Sequence, residues 1–205
     1  MVLIRKFQQS DMLIGIIPKI KKNHSEYEFS FDLNLIKFFR FVYPKSKCEI
    51  IYSKNFDKKI DMLVISGGNE LTSFNNEKEH KLRTELDIFF FKKAIEQNIP
   101  ILGICYGAQF IADYFNSSLK RIHNHVAKKH KIYFANEKNE NYFVNSFHNY
   151  GIEKLSHKLS SLYFSKDKNI ECFKHNKHKI LGMMWHPERH LPFKYNDKKI
   201  ITKNL

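Results

Sequence analysis

The chain has 205 residues, 42% hydrophobic and 27% charged, which is enough to bury one core and ordinary for a single globular domain spanning 1–205. No apolar run approaches the roughly 20 residues that cross a bilayer, and three scattered cysteines exclude a disulfide framework, so a cytoplasmic, reduced protein with no membrane contact is expected. Lys and Arg number 35 against 21 Asp and Glu, a net charge of +14.

The basic residues are spread along the chain in short doublets such as Lys21-Lys22, Lys58-Lys59 and Lys128-Lys129, with no nucleic-acid motif. The charge therefore reads first as a solvated surface of the composition an AT-rich genome imposes. A field recruiting an anionic small substrate comes second, and nucleic acid last.

The N-terminal segment is interrupted by Arg5, Lys6 and Asp11 and lacks the continuous apolar core of a signal peptide. Met12–Ile17 reads as a buried strand ended by Pro18. Phe29–Val42 carries Phe31, Leu35, Phe38, Phe39 and Val42 at helical spacing. Cys48–Tyr52 and Met62–Ile65 read as strands, the second closed by Ser66-Gly67-Gly68. Glu77–Gln97 predicts a long helix with Leu82, Leu86, Phe89, Phe90 and Ile95 on its apolar side. Ile99–Ile104 is a further strand, running through Cys105 into a helix over Ala108–Phe115. Beyond residue 117 come short strands at Lys131–Phe134, Tyr142–Asn145, Ser161–Phe164, Ile170–Phe173 and Ile180–Trp185. This order predicts an α/β fold: a mostly parallel central sheet, helices on both faces, and antiparallel strands at one edge.

Gly103-Ile104-Cys105-Tyr106-Gly107-Ala108-Gln109 sets a cysteine between a buried strand and a helix, with glycines close on both sides. A strained strand-to-helix elbow needs such small neighbours, and a helix N-terminus favours thiolate. An unperturbed thiol is only about 3% ionised at pH 7. Cys48 and Cys172 sit inside apolar strand patterns and read as core residues.

A thiolate needs a base that later protonates the leaving nitrogen, and a group that orients that base. Among 11 histidines, His186 stands out because it closes an apolar strand and is followed by Pro187-Glu188. Pro187 keeps the chain extended, which lets Glu188 reach one imidazole nitrogen while the other faces Cys105. The developing oxyanion needs donors, for which the Gly68 and Tyr106 backbone amides are the candidates.

Taken together, Ser66-Gly67-Gly68-Asn69, Gly103–Gln109 and Trp185-His186-Pro187-Glu188 resemble the class I glutamine amidotransferases, in the right order and over nearly the whole chain. Val144–His148 and Gly182–Glu188 resemble the γ-glutamyl hydrolase branch of that superfamily, as does His123-Asn124-His125-Val126 with His130. The resemblance implies a flavodoxin-like fold and a triad of Cys105, His186 and Glu188. It further implies an oxyanion hole at Gly68 and Tyr106, and glutamyl contacts from Gln109, Asn145, Ser146, Phe147 and His148. Tyr106 departs from the arginine or leucine that often follows the family's nucleophile, so any role of such an arginine is absent or moved. His123, His125 and His130 have no Cys or carboxylate cluster beside them in sequence, and that segment reads as a surface loop more readily than a metal site. No metal or other cofactor is expected.

The narrower likeness is to enzymes that hydrolyse a γ-glutamyl nucleotide amidate in capsular phosphoramidate synthesis. A nucleotide leaving group suits the charge, and no protein partner is required for that reaction. The alternatives are a glutaminase subunit feeding ammonia to a synthase, and a catalytically inactive binding module.

Overall fold

A strand that is apolar at every position must be covered on both faces. In Met62-Leu63-Val64-Ile65 all four side chains are buried, and alternate residues enter different cores. The computed structural model describes residues 12–135 and 141–205, so the reading of the N-terminal segment through Asp11 lies outside the described residues.

The elements run β1 (Leu13–Ile17), β2 (Lys19–Asn23), β3 (Glu26–Ser30), α1 (Asn34–Val42), β4 (Lys47–Ile50), β5 (Met62–Ile65), α2 (Lys78–Glu96), β6 (Ile101–Ile104) and α3 (Tyr106–Tyr114). They continue with β7 (Ser118–Arg121), β8 (Val126–Phe134), β9 (Asn141–Phe147), β10 (Tyr150–Lys154), β11 (Leu159–Ser165), β12 (Ile170–His175), β13 (Ile180–Met183), a 3-10 turn at Pro187–Arg189, and α4 (Tyr195–Asn204).

One continuous sheet runs in the order β4-β1-β5-β6-β13-β12-β11-β8-β9, with β10 paired to β12 and β7. The five strands from β4 to β13 are parallel. From β12 onward every pairing is antiparallel, as expected for the edge. Taken in chain order the parallel strands lie 2-1-3-4-5, the flavodoxin-like order, in which ligands bind beyond the carboxyl ends of the strands. One core packs α1 and α4 against Ile14, Ile16, Met62, Val64, Leu102 and Ile104. The opposite core packs Phe90, Phe91, Phe110 and Ile111 of α2 and α3 against Leu63, Ile65 and Ile101. Burial of each such large side chain contributes about 1.5–3 kcal/mol. No described helix is long and apolar enough to cross a membrane.

The structure corrects the expected elements in three places. Phe29 belongs to a two-stranded hairpin, β2-β3, that stands off the main sheet, and α1 starts only at Asn34. With Phe29 46% exposed, the hairpin has too little buried surface to show in hydrophobic periodicity. In α2 the buried face is Arg83, Leu86, Asp87, Phe90, Phe91 and Ala94, while Phe89 is 40% exposed, because two charged residues one turn apart occupy the interior. β7 and β10 also went unseen, and β13 ends at Met183, two residues short of Trp185.

Helix α3 meets the sheet backbone to backbone. A Cβ on Gly107 would stand 2.0 Å from the Ile65 carbonyl oxygen, and one on Gly103 would stand 2.5 Å from the Gly107 backbone. Gly107→Ala is therefore expected to cost at least about 3 kcal/mol, the upper end of overpacking penalties. Chemical denaturation measures it, and a loss below about 1 kcal/mol would contradict the close approach.

Candidate active site

The strand β6 passes directly into α3 through Cys105, whose φ of 53° and ψ of −105° lie outside the ordinary regions for a residue bearing a Cβ. Its N–H donates to the Met183 carbonyl at 2.8 Å, and its carbonyl accepts from the Gln109 N–H at 3.0 Å. The elbow thus hangs between β13 and the first turn of α3. Gly67 leaves room above it, since a Cβ there would lie 2.7 Å from His186 Cε1 and 3.3 Å from Cys105 Cβ.

His186 follows β13, the neighbour of β6, and therefore arrives beside Cys105 by strand pairing. Its Nδ1 sits 2.6 Å from Glu188 Oε1 across the Pro187 turn. Asn145 holds the histidine from behind, accepting from the His186 N–H at 2.9 Å and donating to its carbonyl at 2.8 Å. Burial pushes the Cys105 thiol up, but the His186 charge and hydrogen bond, His148 and the Tyr106 N–H outweigh it and hold the thiol below its ordinary value. Burial lowers His186, while the Cys105 thiolate and Glu188 raise it more, to about 10. Both directions favour a thiolate–imidazolium pair over the neutral thiol and imidazole.

A cavity of about 220 Å³ opens over the elbow, lined by Gly68, Cys105, Gln109, Phe147, His148 and His186 among the expected residues. Asn145 and Ser146 do not line it. Asn145 is committed to the His186 backbone, and the Ser146 hydroxyl donates to the His125 carbonyl. Gln109 donates its amide to the Tyr150 carbonyl at 2.9 Å. The lining also includes Glu70, His80, Tyr150 and Arg189, none of which the sequence singled out. Arg189 stood in view beside Glu188, whereas His80 comes from α2 and had no local signal. A larger cleft, about 300 Å³, lies beside the N-terminal end of β6, lined by Phe56, Phe90 and Gln97 and away from the nucleophile.

Tyr106 is held by a buried network. Its hydroxyl donates to Asp87 at 2.8 Å, and the Arg83 guanidinium lies 4.9 Å from its ring centroid. Arg83 also grips both Asp87 oxygens at 2.9 and 3.0 Å, and donates to the carbonyls of Pro18 at 2.7 Å and Ser66 at 2.9 Å. An arginine thus does stand at the residue after Cys105, supplied from α2 and not from the chain position itself.

The family model for glutamine amidotransferase class-I matches residues 34–204. Over 188 residues the chain is 37% identical to the γ-glutamyl-CDP-amidate hydrolase of Campylobacter jejuni, covering 87% of this chain and 90% of that one. It is 29% identical over 186 residues to the glutamine amidotransferase-like protein YvdE of Lactococcus lactis, covering 78% of each chain. In fold it is similar to PurLQS of Thermotoga maritima, with a TM-score of 0.71, 16% identity, and 95% and 97% of the two chains covered. It is likewise similar to a glutamine amidotransferase of the same organism, with a TM-score of 0.66, 15% identity, and 94% and 85% covered.

Iodoacetamide is expected to label Cys105 well below pH 8.5, and to spare both buried Cys172 and Cys48, whose thiol burial pushes up to about 11. In His186→Asn the burial penalty stays while the imidazolium goes, so the labelling midpoint of Cys105 should move upward. Peptide mapping across pH reads this; an unmoved midpoint, or Cys48 labelled first, contradicts the pairing. Arg83→Met leaves Asp87 buried without its partner and should cost about 3–5 kcal/mol. An unchanged thermal melt would contradict that account of the network.

Proposed function

This chain belongs to the class-I glutamine amidotransferase family, and from that premise we propose that it hydrolyses a γ-glutamyl amide through a thioester on Cys105. The observation that carries the reading is Cys105 and His186 lining one cavity, with Glu188 behind against the imidazole Nδ1, the thiol lowered and the imidazole raised. The thiolate attacks the γ-carbonyl carbon, and the oxyanion that forms is held by the Gly68 N–H and by the Tyr106 N–H, an α3 first-turn donor with no helical partner. Collapse breaks the C–N bond as the His186 imidazolium gives its proton to the leaving nitrogen. Water then enters, loses a proton to His186 and attacks the thioester, releasing glutamate and the free thiolate. Glu188 keeps the imidazole in the tautomer and orientation both steps need. Gln109 and the wall from Phe147 to Tyr150 receive the glutamyl group, while Asn145 and Ser146 brace that wall from behind.

The leaving group in this reading is a cytidine diphosphoramidate, released into a modification of capsular polysaccharide. Two independent observations support it. The Campylobacter relative is named for the γ-glutamyl-CDP-amidate it hydrolyses, and it matches this chain over nine-tenths of its own length. In addition, Lys19, Lys21 and Arg189 stand close enough together to depress the Lys19 ammonium, after burial itself. Lys19 packs beside Gly68 and Arg189 lines the cavity, which puts positive charge at the mouth where a diphosphate would leave.

The test compares a γ-glutamyl nucleotide amidate with free glutamine, using the chain alone. Turnover of the nucleotide substrate should exceed that of glutamine by orders of magnitude and fall as salt rises, since exposed phosphate contacts are screened over about 8–10 Å. His186→Asn should lower it by roughly 10²–10⁴-fold, and Cys105→Ala should abolish it. Equal, salt-insensitive rates on both substrates would defeat the nucleotide leaving group while leaving the thiol chemistry standing. Glutamine turnover that requires an added synthase would favour the ammonia-supplying reading instead.

A further inference from the structure

Behind the cavity wall, five buried polar atoms converge without a hydrogen-bond partner: His125 Nδ1, His130 Nε2, His148 Nε2 and both carboxylate oxygens of Glu171. They come from four places: the loop before β8, β8 itself, the residue after β9, and β12. Glu171 is fully buried, and the side chains of His148 and His125 are 1% and 7% exposed. They meet one another only in His–Glu171 ion-pair contacts of 3.2–3.7 Å, and polar atoms left without a well-formed hydrogen bond cost about 1–3 kcal/mol each, so a further common partner would suit the cluster.

The spacing identifies that partner. Glu171 Oε1 lies 3.7 Å from His125 Nδ1 and 3.2 Å from His130 Nε2, and Glu171 Oε2 lies 3.7 Å from His148 Nε2. One ligand atom each from His125, His148 and Glu171 lies within 4.8 Å of the other two, close enough for one ion to draw them to the roughly 3.3–3.4 Å of a tetrahedral site, while His130 stands outside that group, in contact with Glu171. Two of the imidazoles are also braced through their other nitrogen, His125 Nε2 against Asp167 Oδ2 at 3.0 Å and His148 Nδ1 against the Tyr150 carbonyl at 3.1 Å. With those outer nitrogens donating, the inward ones would be free to bind a metal, as a ligand requires.

The backbone is built to the same end. His125 and His130 are five residues apart, a spacing that in a regular strand points side chains to opposite faces. Between Val126 and Lys128 the β8–β9 register slips, with Ala127 at a φ of 53°. That bulge restores the two histidines to one side, where their ring centroids lie 4.8 Å apart. The carboxylate that the histidine-rich segment lacks in sequence is Glu171, brought in from β12.

We propose that His125, His148 and Glu171 hold a zinc ion that fixes the wall of the catalytic cavity. Two imidazoles and one carboxylate suit Zn²⁺, and the fourth tetrahedral position falls to water or to a small movement of His130, which lies 3.2 Å from Glu171. The ion would tie β8 to β12 and to His148, and His148 with its neighbours Phe147, Asn149 and Tyr150 lines the cavity over Cys105.

Elemental analysis of the purified full chain after equilibration with zinc and gel filtration should find one equivalent of zinc, with Cys105→Ala retaining it in full. Glu171→Gln and His125→Asn should each lose it, and the His125 variant serves should the Glu171 variant not fold. Cobalt titration should give the visible bands of a tetrahedral ion, and Asp167→Asn should weaken cobalt binding about 10–100-fold while the fold persists. Chelator should lower the melting temperature and zinc restore it. Zinc content below a tenth of an equivalent with no cobalt bands, or equal content in wild type and His125→Asn, would overturn the proposal. Because Cys105→Ala separates metal content from turnover, failure here is distinguishable from failure of the hydrolase reading.

Discussion

Everything at the carboxyl ends of the parallel strands is arranged around a residue in a conformation its side chain disfavours. Cys105 holds a positive φ that costs on the order of 1–3 kcal/mol, and such strain persists only where the surroundings over-determine it. Here the restraints are visible. Gly103 and Gly107 let the strand and helix backbones touch, and the Met183 carbonyl fixes the elbow's N–H. The next residue, Tyr106, is pinned by its ring and its hydroxyl. The return is a sulfur presented at a helix N-terminus, facing an imidazole on the adjacent strand.

Two buried charges carry the tension of that arrangement into the scaffold. Arg83 joins the ends of β1 and β5 to the first residue of α3, spending its donors on two carbonyls and a carboxylate. Asp197, fully buried on α4, accepts from Trp185 at 2.9 Å and Tyr142 at 3.0 Å, and meets His190 Nδ1 at 2.7 Å. His190 in turn accepts from the Asn145 N–H at 3.3 Å, and Asn145 brackets the backbone of His186. Cys105 and His186 are thus each referred to a different buried charged residue on opposite faces of the sheet. Buried ions add little net stability when paired, but removing one partner is expensive, so they specify position more than they strengthen the fold.

The parallel half of the sheet was legible because its strands are apolar on both faces and its helices have clear periodicity. The cysteine elbow and the His-Pro-Glu turn were legible as structure because each is written in adjacent residues. The hairpin β2-β3 was hidden because its side chains are largely solvated. Arg83 and Asp87 were hidden for the opposite reason: charged residues at helical spacing look like a solvent face until tertiary structure supplies the carbonyls that satisfy them. Asn145 and Ser146 lay in the right segment, yet alternation along β9 and the packing beside His186 and His125 decide which way each points. The meeting of Glu171 with three histidines depends on a strand bulge and on sheet order, neither of which a linear pattern contains.

The place of β13 in the sheet has a consequence for how the molecule is made. It is the thirteenth of the thirteen described strands in sequence but lies at the centre, between β6 and β12. While a nascent chain is emerging from the ribosome, β6 has an open edge and the antiparallel strands have nothing parallel to join. Only when residues 180–186 clear the exit tunnel can both halves close around them, a long-range pairing of the kind that slows folding. The same few residues bring in His186. Cys105 therefore meets its imidazole partner only in the step that completes the sheet, so the site and the fold close together.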